Sequence, residues 1–225
     1  MSENSIRVAV KSPEYLPRLS YMALMQSVDV FVLADTFQYS RQSFQNRTRI
    51  RTPQGWHWIS IPLLGRQHGR PICETIIDNR THWRSKHLRA FSFNYSQSPY
   101  YDYLSDAMAD IMQEEWEVLA DLTCQSVKLI HNMLQMRCQL VTASSLPGCP
   151  ASLDEILEVT EAKALVGELH ELDNLPTGFA GHQFAFEEPV YRQHFEGFES
   201  NITAVDLICN YGPEAHSVIK QGIVM

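Results

Sequence analysis

No run in this sequence of 225 residues approaches the eighteen or so consecutive apolar residues that a spanning helix needs, and a membrane protein is not expected. The opening residues, MSENSIRVAV, hold neither a charged leader nor an apolar segment ahead of a small-residue cleavage site. Nothing there marks the chain for export, and the expected location is cytoplasmic. Cysteine is scarce, odd in number and scattered (Cys73, Cys124, Cys138, Cys149, Cys209), with no C-x-x-C, which excludes a disulfide framework and a zinc ribbon. Reduced, mostly buried thiols are expected. No P-loop, G-x-G-x-x-G or G-x-S-x-G occurs, so a Walker site, a standard dinucleotide fingerprint and a serine-hydrolase elbow are absent. What is present is an ordinary globular composition, 44% hydrophobic and 20% charged. With this length it suggests one domain over 1–225, an α/β part to about residue 95 followed by a mainly helical part.

Positive charge is scarce over most of the chain. From residue 102 onward twenty Asp/Glu face five Lys/Arg, whereas residues 41–89 hold ten Lys/Arg against two acids, and the net charge of −8 averages over this segregation. Nine of those ten are arginine, whose planar fork suits bidentate recognition of carboxylate or phosphate. The asymmetry points to an anionic partner for the basic stretch. The competing reading is that the two parts neutralise each other in the folded protein. Nucleic acid is not the expected anion, because the chain is acidic overall and matches no nucleic-acid-binding motif.

Ile6–Val10 and Asp29–Ala34 are short apolar, β-favouring runs. Between them Leu16, Leu19, Met22, Ala23 and Gln26 recur at helical spacing, with Pro17 placed at the first turn. The pattern predicts a β-α-β unit with parallel strands and a right-handed crossover. In an open parallel sheet the ligand crevice lies beyond the carboxyl ends of the strands, so Lys11, Ser12, Asp35 and Thr36 are expected to project into one place, with the helix N-terminus offering free N–H groups there. Thr48–Arg51 and Trp56–Leu63, separated by T-P-Q-G, predict a β-hairpin whose second strand is covered on both sides. Further on we expect a strand at Cys73–Ile77 and helices over about 81–91 and 114–138. Helix is also expected after Thr160, with a loose segment at 178–183 and a strand at Glu188–Gln193. Ser200 should cap a helix that stops at Gly212. The fold class is therefore α/β: an N-terminal β-α-β unit with parallel strands plus a β-hairpin, followed by a mainly helical C-terminal half.

The densest polar constellation is residues 35–49, D-T-F-Q-Y-S-R-Q-S-F-Q-N-R-T-R, which sets Asp35, Gln38, Arg41, Gln45, Asn46, Arg47 and Arg49 just after a buried strand. A ligand site and an ordinary polar loop both fit that composition. Arg41, Arg47 and Arg49 are candidates to bind anionic groups; Lys11, a point cation, and Asp35, the candidate base, are the catalytic candidates. These groups are expected to converge at one end of the parallel strands. His82 and His87 are five apart, a spacing that does not align two imidazoles on one helical face, so no metal site is expected. No cofactor is indicated.

The segments V-A-V-K-S-P-E-Y-L-P (8–17), D-V-F-V-L-A-D-T-F-Q-Y-S-R-Q-S-F-Q-N-R-T-R-I (29–50) and G-W-H-W-I-S-I-P (55–62) resemble, in order, the N-terminal signature of the WbqC-like family. The resemblance continues through W-R-S-K-H (83–87), Y-S-Q-S-P-Y-Y-D-Y-L (95–104), P-V-Y-R-Q (189–193) and F-E-S-N-I-T-A-V-D-L-I-C-N-Y-G-P-E (198–214), about two-thirds of the chain. Members of that family occur in bacterial surface-polysaccharide gene clusters, and some carry a label as glycine or acyl transferases that decorate an amino sugar. The family pattern falls on Tyr15, Asp35, Gln38, Arg41, Asn46, Arg47, Lys86, His87, Tyr191 and Asp206, which adds Tyr15, Lys86 and His87 to the ligand-binding candidates. This chain departs from the pattern in three places: Lys11-Ser12 stand where the family has His-Gln, Thr36 replaces the second acid of an Asp-Asp pair, and the region between Val141 and Pro189 is shortened.

The resemblance implies a transferase that handles a nucleotide-activated sugar or an acyl or aminoacyl donor in surface-polysaccharide biosynthesis. A second reading keeps the crevice without turnover, as a binding protein for a small anionic ligand such as a nucleotide. A third gives the acidic half a docking role in an assembly, a homo-oligomer included.

Overall fold

The computed structural model describes residues 6–160, 162–173 and 175–224. Arg7–Lys11 (β1) and Val30–Leu33 (β2) are strands joined through the helix Leu19–Gln26 (α1), and they pair in parallel with Val8 opposite Val30 and Lys11 opposite Leu33. Arg47–Thr52 (β3) and Gly55–Ser60 (β4) form the antiparallel hairpin. Gly55 closes its turn at φ +114°, where a side chain would be strained. Three helices follow, Trp83–Tyr95 (α2), Tyr101–Gln113 (α3) and Leu119–Met133 (α4). Then come Gln139–Thr142 (β5), Leu153–Val159 (α5), Ala164–Gly167 (β6), Leu169–Leu172 (α6), Ala180–Gln183 (β7) and Ala185–Phe186 (β8). Ala204–Tyr211 (α7), Ala215–Gln221 (α8) and Ile223–Val224 (β9) close the chain. The class is mixed α/β: a parallel sheet, a hairpin and a later half rich in helices.

The sheet has five strands in the order β5-β2-β1-β6-β7, all parallel. It winds outward from β1 in both directions, so three of its strands come from beyond residue 138. Alternation of side chains gives it two packed faces. Ala9, Phe31, Leu33 and Val166 join the large core with α1, α3, α4 and α7. Val8, Val10, Val32 and Leu165 face Ile156 and Leu157 of α5.

Several elements depart from the sequence expectation. Residues 164–167 form a strand, not a helix, because this short run is buried on both sides and carries no periodicity that tells the two apart. Residues 180–183 are the outer strand β7 rather than a loose segment. Cys73–Ile77 is a turn with isolated bridges, pinned where the Cys73 N–H donates to the Asp35 carbonyl at 2.8 Å. Residues 188–193 form no strand; side chains fix them instead, as when the Glu188 carboxylate accepts the Asn201 N–H at 2.8 Å. Helix α3 is unanticipated, although Leu104, Met108 and Ile111 on its buried face have helical spacing. Thr203, rather than Ser200, caps α7. Gly212 ends that helix at positive φ, under the Tyr100 ring. All five cysteines are unpaired, but only Cys138 and Cys209 are buried.

One buried acid joins the hairpin, α2 and α7. Asp206 has no solvent exposure and accepts the Tyr191 hydroxyl at 2.8 Å. Burial pushes its carboxyl up from 3.8 to about 7, against the Tyr191 and Tyr95 hydroxyls and the Arg51 guanidinium, which lower it. The folded state therefore holds this proton more tightly than the unfolded chain. The favourable contribution is complete below about pH 4 and is lost as pH rises toward about 7. We predict that Asp206→Asn flattens the fall in urea midpoint between those pH values; an unchanged slope would remove the assignment.

Candidate functional site

The winding of the sheet reverses between β1 and β6, and in open parallel sheets that is where a crevice forms beyond the strand ends. Lys11 closes β1 there. Its ammonium lies 2.6 Å from Glu171 Oε1 and 3.8 Å from Glu168 Oε1, on the turn and short helix that follow β6. The other oxygen of Glu171 accepts the Glu168 N–H at 2.8 Å, so the carboxylate is held from both sides. A cleft of about 320 Å³ lies at this pair, lined also by Ser12, Glu14, Arg18, Phe37 and residues 43–45.

Arg18 and Glu14 form a second ion pair in the cleft at 2.5 Å, and the Arg18 guanidinium sits 3.7 Å from the centre of the Phe44 ring. Glu14 also accepts the backbone N–H of Arg18, the N-cap of α1. The amino end of that helix, expected to face a ligand, is thus already met by an internal carboxylate.

The hairpin stands beside the Phe44 wall of the cleft. Its register places Arg47, Arg49 and Arg51 on one face with Ser60, Trp58 and Trp56, while Thr48, Ile50 and Ile59 turn into the core. The outer face is not covered by protein as expected: Trp56 is 42% exposed. Guanidinium groups cover the indoles instead, Arg47 at 4.1 Å from the Trp58 ring centre and Arg49 at 4.2 Å from that of Trp56. Each such contact contributes on the order of 1 kcal/mol. Arg47 donates to the Ser43 and Gln42 carbonyls, whereas the buried Nε of Arg49 has no partner among the described residues. Neither forms an ion pair with a described carboxylate. Arg51 differs: it is buried, and donates to Gln193 and to the Thr52, Gly55 and Glu196 carbonyls.

Asp35 ends β2 at the same edge of the sheet but does not line the Lys11 cleft. It is 4% exposed, and its two oxygens accept the Ser144 N–H at 2.9 Å and the Ser144 hydroxyl at 2.5 Å. Thr36 donates to the Pro150 carbonyl. Tyr15 and His87 are brought together in the core, the tyrosine hydroxyl 2.8 Å from His87 Nδ1. Asn46 braces the loop, accepting from Tyr39 and donating to the Ile61 carbonyl. Gln38, Arg41 and Lys86 are exposed.

The expected constellation is therefore divided among a cleft (Lys11), a hairpin face with an adjoining loop (Arg47, Arg49; Gln38, Arg41), a buried anchor (Asp35) and the core (Tyr15, His87). Sequence reasoning missed Glu14, Arg18 and Glu171. The sequence carries no local signal for Glu171, which reaches Lys11 across 160 positions through the β1–β6 pairing. No three His, Cys, Asp or Glu side chains among the described residues group as metal ligands.

Sheet order and cleft together define a doubly wound α/β protein with a polar, ion-paired cleft at its switch point. The chain belongs to the WbqC-like protein family, whose model matches residues 12–170. It is 31% identical to the uncharacterised protein Rv1507c of Mycobacterium tuberculosis, over 95% of this chain and 97% of that one. No solved structure matches it.

Burial depresses His87 from 6.5 to about 4, against a hydrogen bond to the Ser60 backbone carbonyl that raises it, so the ring is neutral and can accept a hydrogen bond from the Tyr15 hydroxyl at Nδ1. A histidine held low contributes stability above about 6.5 that is lost as pH falls toward 4. The His87 ring proton resonances should keep their neutral positions until pH nears 4; a midpoint near 6.5 would contradict this environment. Tyr15→Phe leaves Nδ1 buried and unpaired and should cost about 1–3 kcal/mol by urea denaturation.

Proposed function

We propose that this chain is a transferase that takes a nucleotide-activated sugar or an acyl or aminoacyl donor, in bacterial surface-polysaccharide biosynthesis, and binds the donor's anionic part between the Lys11 cleft and the Arg47–Arg49 face. The observation that carries this is the absence of carboxylate partners for Arg41, Arg47 and Arg49 among the described residues, beside a cleft at the switch point. Among the described residues, Arg84 is the one member of the 41–89 stretch that forms an ion pair with a carboxylate of the acidic part, Glu115 at 3.8 Å. Mutual neutralisation is therefore a weak account of the basic stretch. A phosphate or carboxylate would meet guanidinium donors held in place by indole rings, which lowers the ordering cost of binding. Lys11 would release Glu171 to the same ligand as a point cation. Family membership supports the reading, and the cytoplasm, where activated donors are made, is the location it implies.

A second reading, donor binding without turnover, is favoured by the burial and double hydrogen bonding of Asp35. A general base must reach the proton it removes, and Asp35 is turned to Ser144.

Thermal shift with UDP-N-acetylglucosamine and acetyl-coenzyme A as probes tests the binding. One or both should raise the melting temperature; Arg47→Glu should abolish the rise, and Glu171→Gln, which removes the competing carboxylate, should enlarge it. Unchanged shifts in both variants would refute the assigned site. Donor-dependent product in a multiple-turnover assay separates the transferase from the binding protein.

A further inference from the structure

We propose that a second cleft, between α4 and the sheet-edge strand β5, binds a neutral polyhydroxylated ring of the sugar class. The cavity is about 740 Å³, enough for one or two such rings. One wall is the polar face of α4, where Asp121, Gln125 and Lys128 recur at i, i+4 and i+7 and so point the same way. The opposite face of the helix, with Leu122, Val127 and Ile130, is buried in the core. Asp121, Gln125 and Lys128 make no side-chain hydrogen bond or ion pair with another described residue, so an acceptor, an amide and a donor are all available.

The other wall is β5, which pairs only with β2 among the described strands and so leaves one edge of its backbone unpaired. Its Thr142, with Ser145 just beyond, adds hydroxyls. Trp116 supplies an apolar surface, fixed by its indole N–H donating to the Ile111 carbonyl at 2.7 Å. Such a surface suits the C–H face of a sugar ring.

Charge selects among ligands. One carboxylate and one ammonium cancel, so a strongly anionic ligand would face Asp121 unpaired, and a cation would face Lys128. A neutral polyol uses both, through hydroxyls that donate and accept. Behind the cleft, Asp35 strengthens the acceptor: partial shielding, then its negative charge, hold the Asp121 carboxyl above the usual range. The site lies on the α4 side of the sheet edge, separate from the Lys11 cleft, and does not rest on the donor reading.

Amide chemical-shift mapping of the full chain, titrated separately with glucose, N-acetylglucosamine and inorganic phosphate to tens of millimolar, tests the proposal. Glucose should shift the α4 amides around 121–132 and the Trp116 indole signal. Asp121→Asn and Gln125→Ala, both at exposed positions, should each weaken that binding about threefold to tenfold, the worth of one hydrogen bond, while leaving the spectrum of the fold intact. No shift with either sugar, shifts with phosphate alone, perturbation confined to 139–142, or undiminished binding in both variants would each overturn it.

Discussion

β1 is hydrogen-bonded on both flanks, to β2 on one side and to β6 on the other, and the arrangement of polar groups at the sheet edge depends on that double pairing. The β1–β2 half is local and needs only the crossover helix α1. The β1–β6 half joins residues some 157 positions apart and carries the entropy cost of closing a long loop. In return it places Glu171 against Lys11 and sets the reversal of winding at β1. The buried run Ala164–Gly167 is what makes that closure favourable, since its apolar side chains leave water on both faces of the sheet.

The cationic groups around the cleft and the hairpin are met in three ways. Lys11 and Arg18 pair with carboxylates in the cleft. Arg51 is taken into the interior, where carbonyls of the acidic part receive its guanidinium. Arg47 and Arg49 stay on the hairpin surface, stacked on indoles. Arg51 is met by neutral carbonyl and amide oxygens alone, whereas the last arrangement leaves cationic groups on the surface with no described carboxylate paired to them. Leu16 shows how closely the neighbouring backbone is held: it sits at φ +47°, with its N–H on the Ser126 hydroxyl and its carbonyl on the Thr48 hydroxyl. That strained link ties α4 and β3 to the segment that leaves β1.

The β-α-β unit and the hairpin were legible because their cues are local: short apolar runs, helical spacing, and a Pro–Gly turn. The ends of β1 and β2 were also legible, and Lys11 and Asp35 do stand at the same edge of the sheet. Which cleft each faces was not, because Asp35 is drawn away by Ser144, a residue that follows β5. Strands β5, β6 and β7 were missed although each is no shorter than β2: β5 and β6 pair with strands more than a hundred positions away, and β7, A-G-H-Q, carries no apolar β-favouring run. Tyr15 and His87 illustrate the converse: polar residue types in a motif-rich segment can form a hydrogen-bonded pair within the core.

A crystal structure of the protein with a nucleoside diphosphate sugar tests the central claim most directly. The account predicts the diphosphate within hydrogen-bond distance of Lys11 and of Arg47 or Arg49, with Glu171 displaced from the ammonium. A ligand bound elsewhere while the Lys11–Glu171 pair stays closed would contradict it.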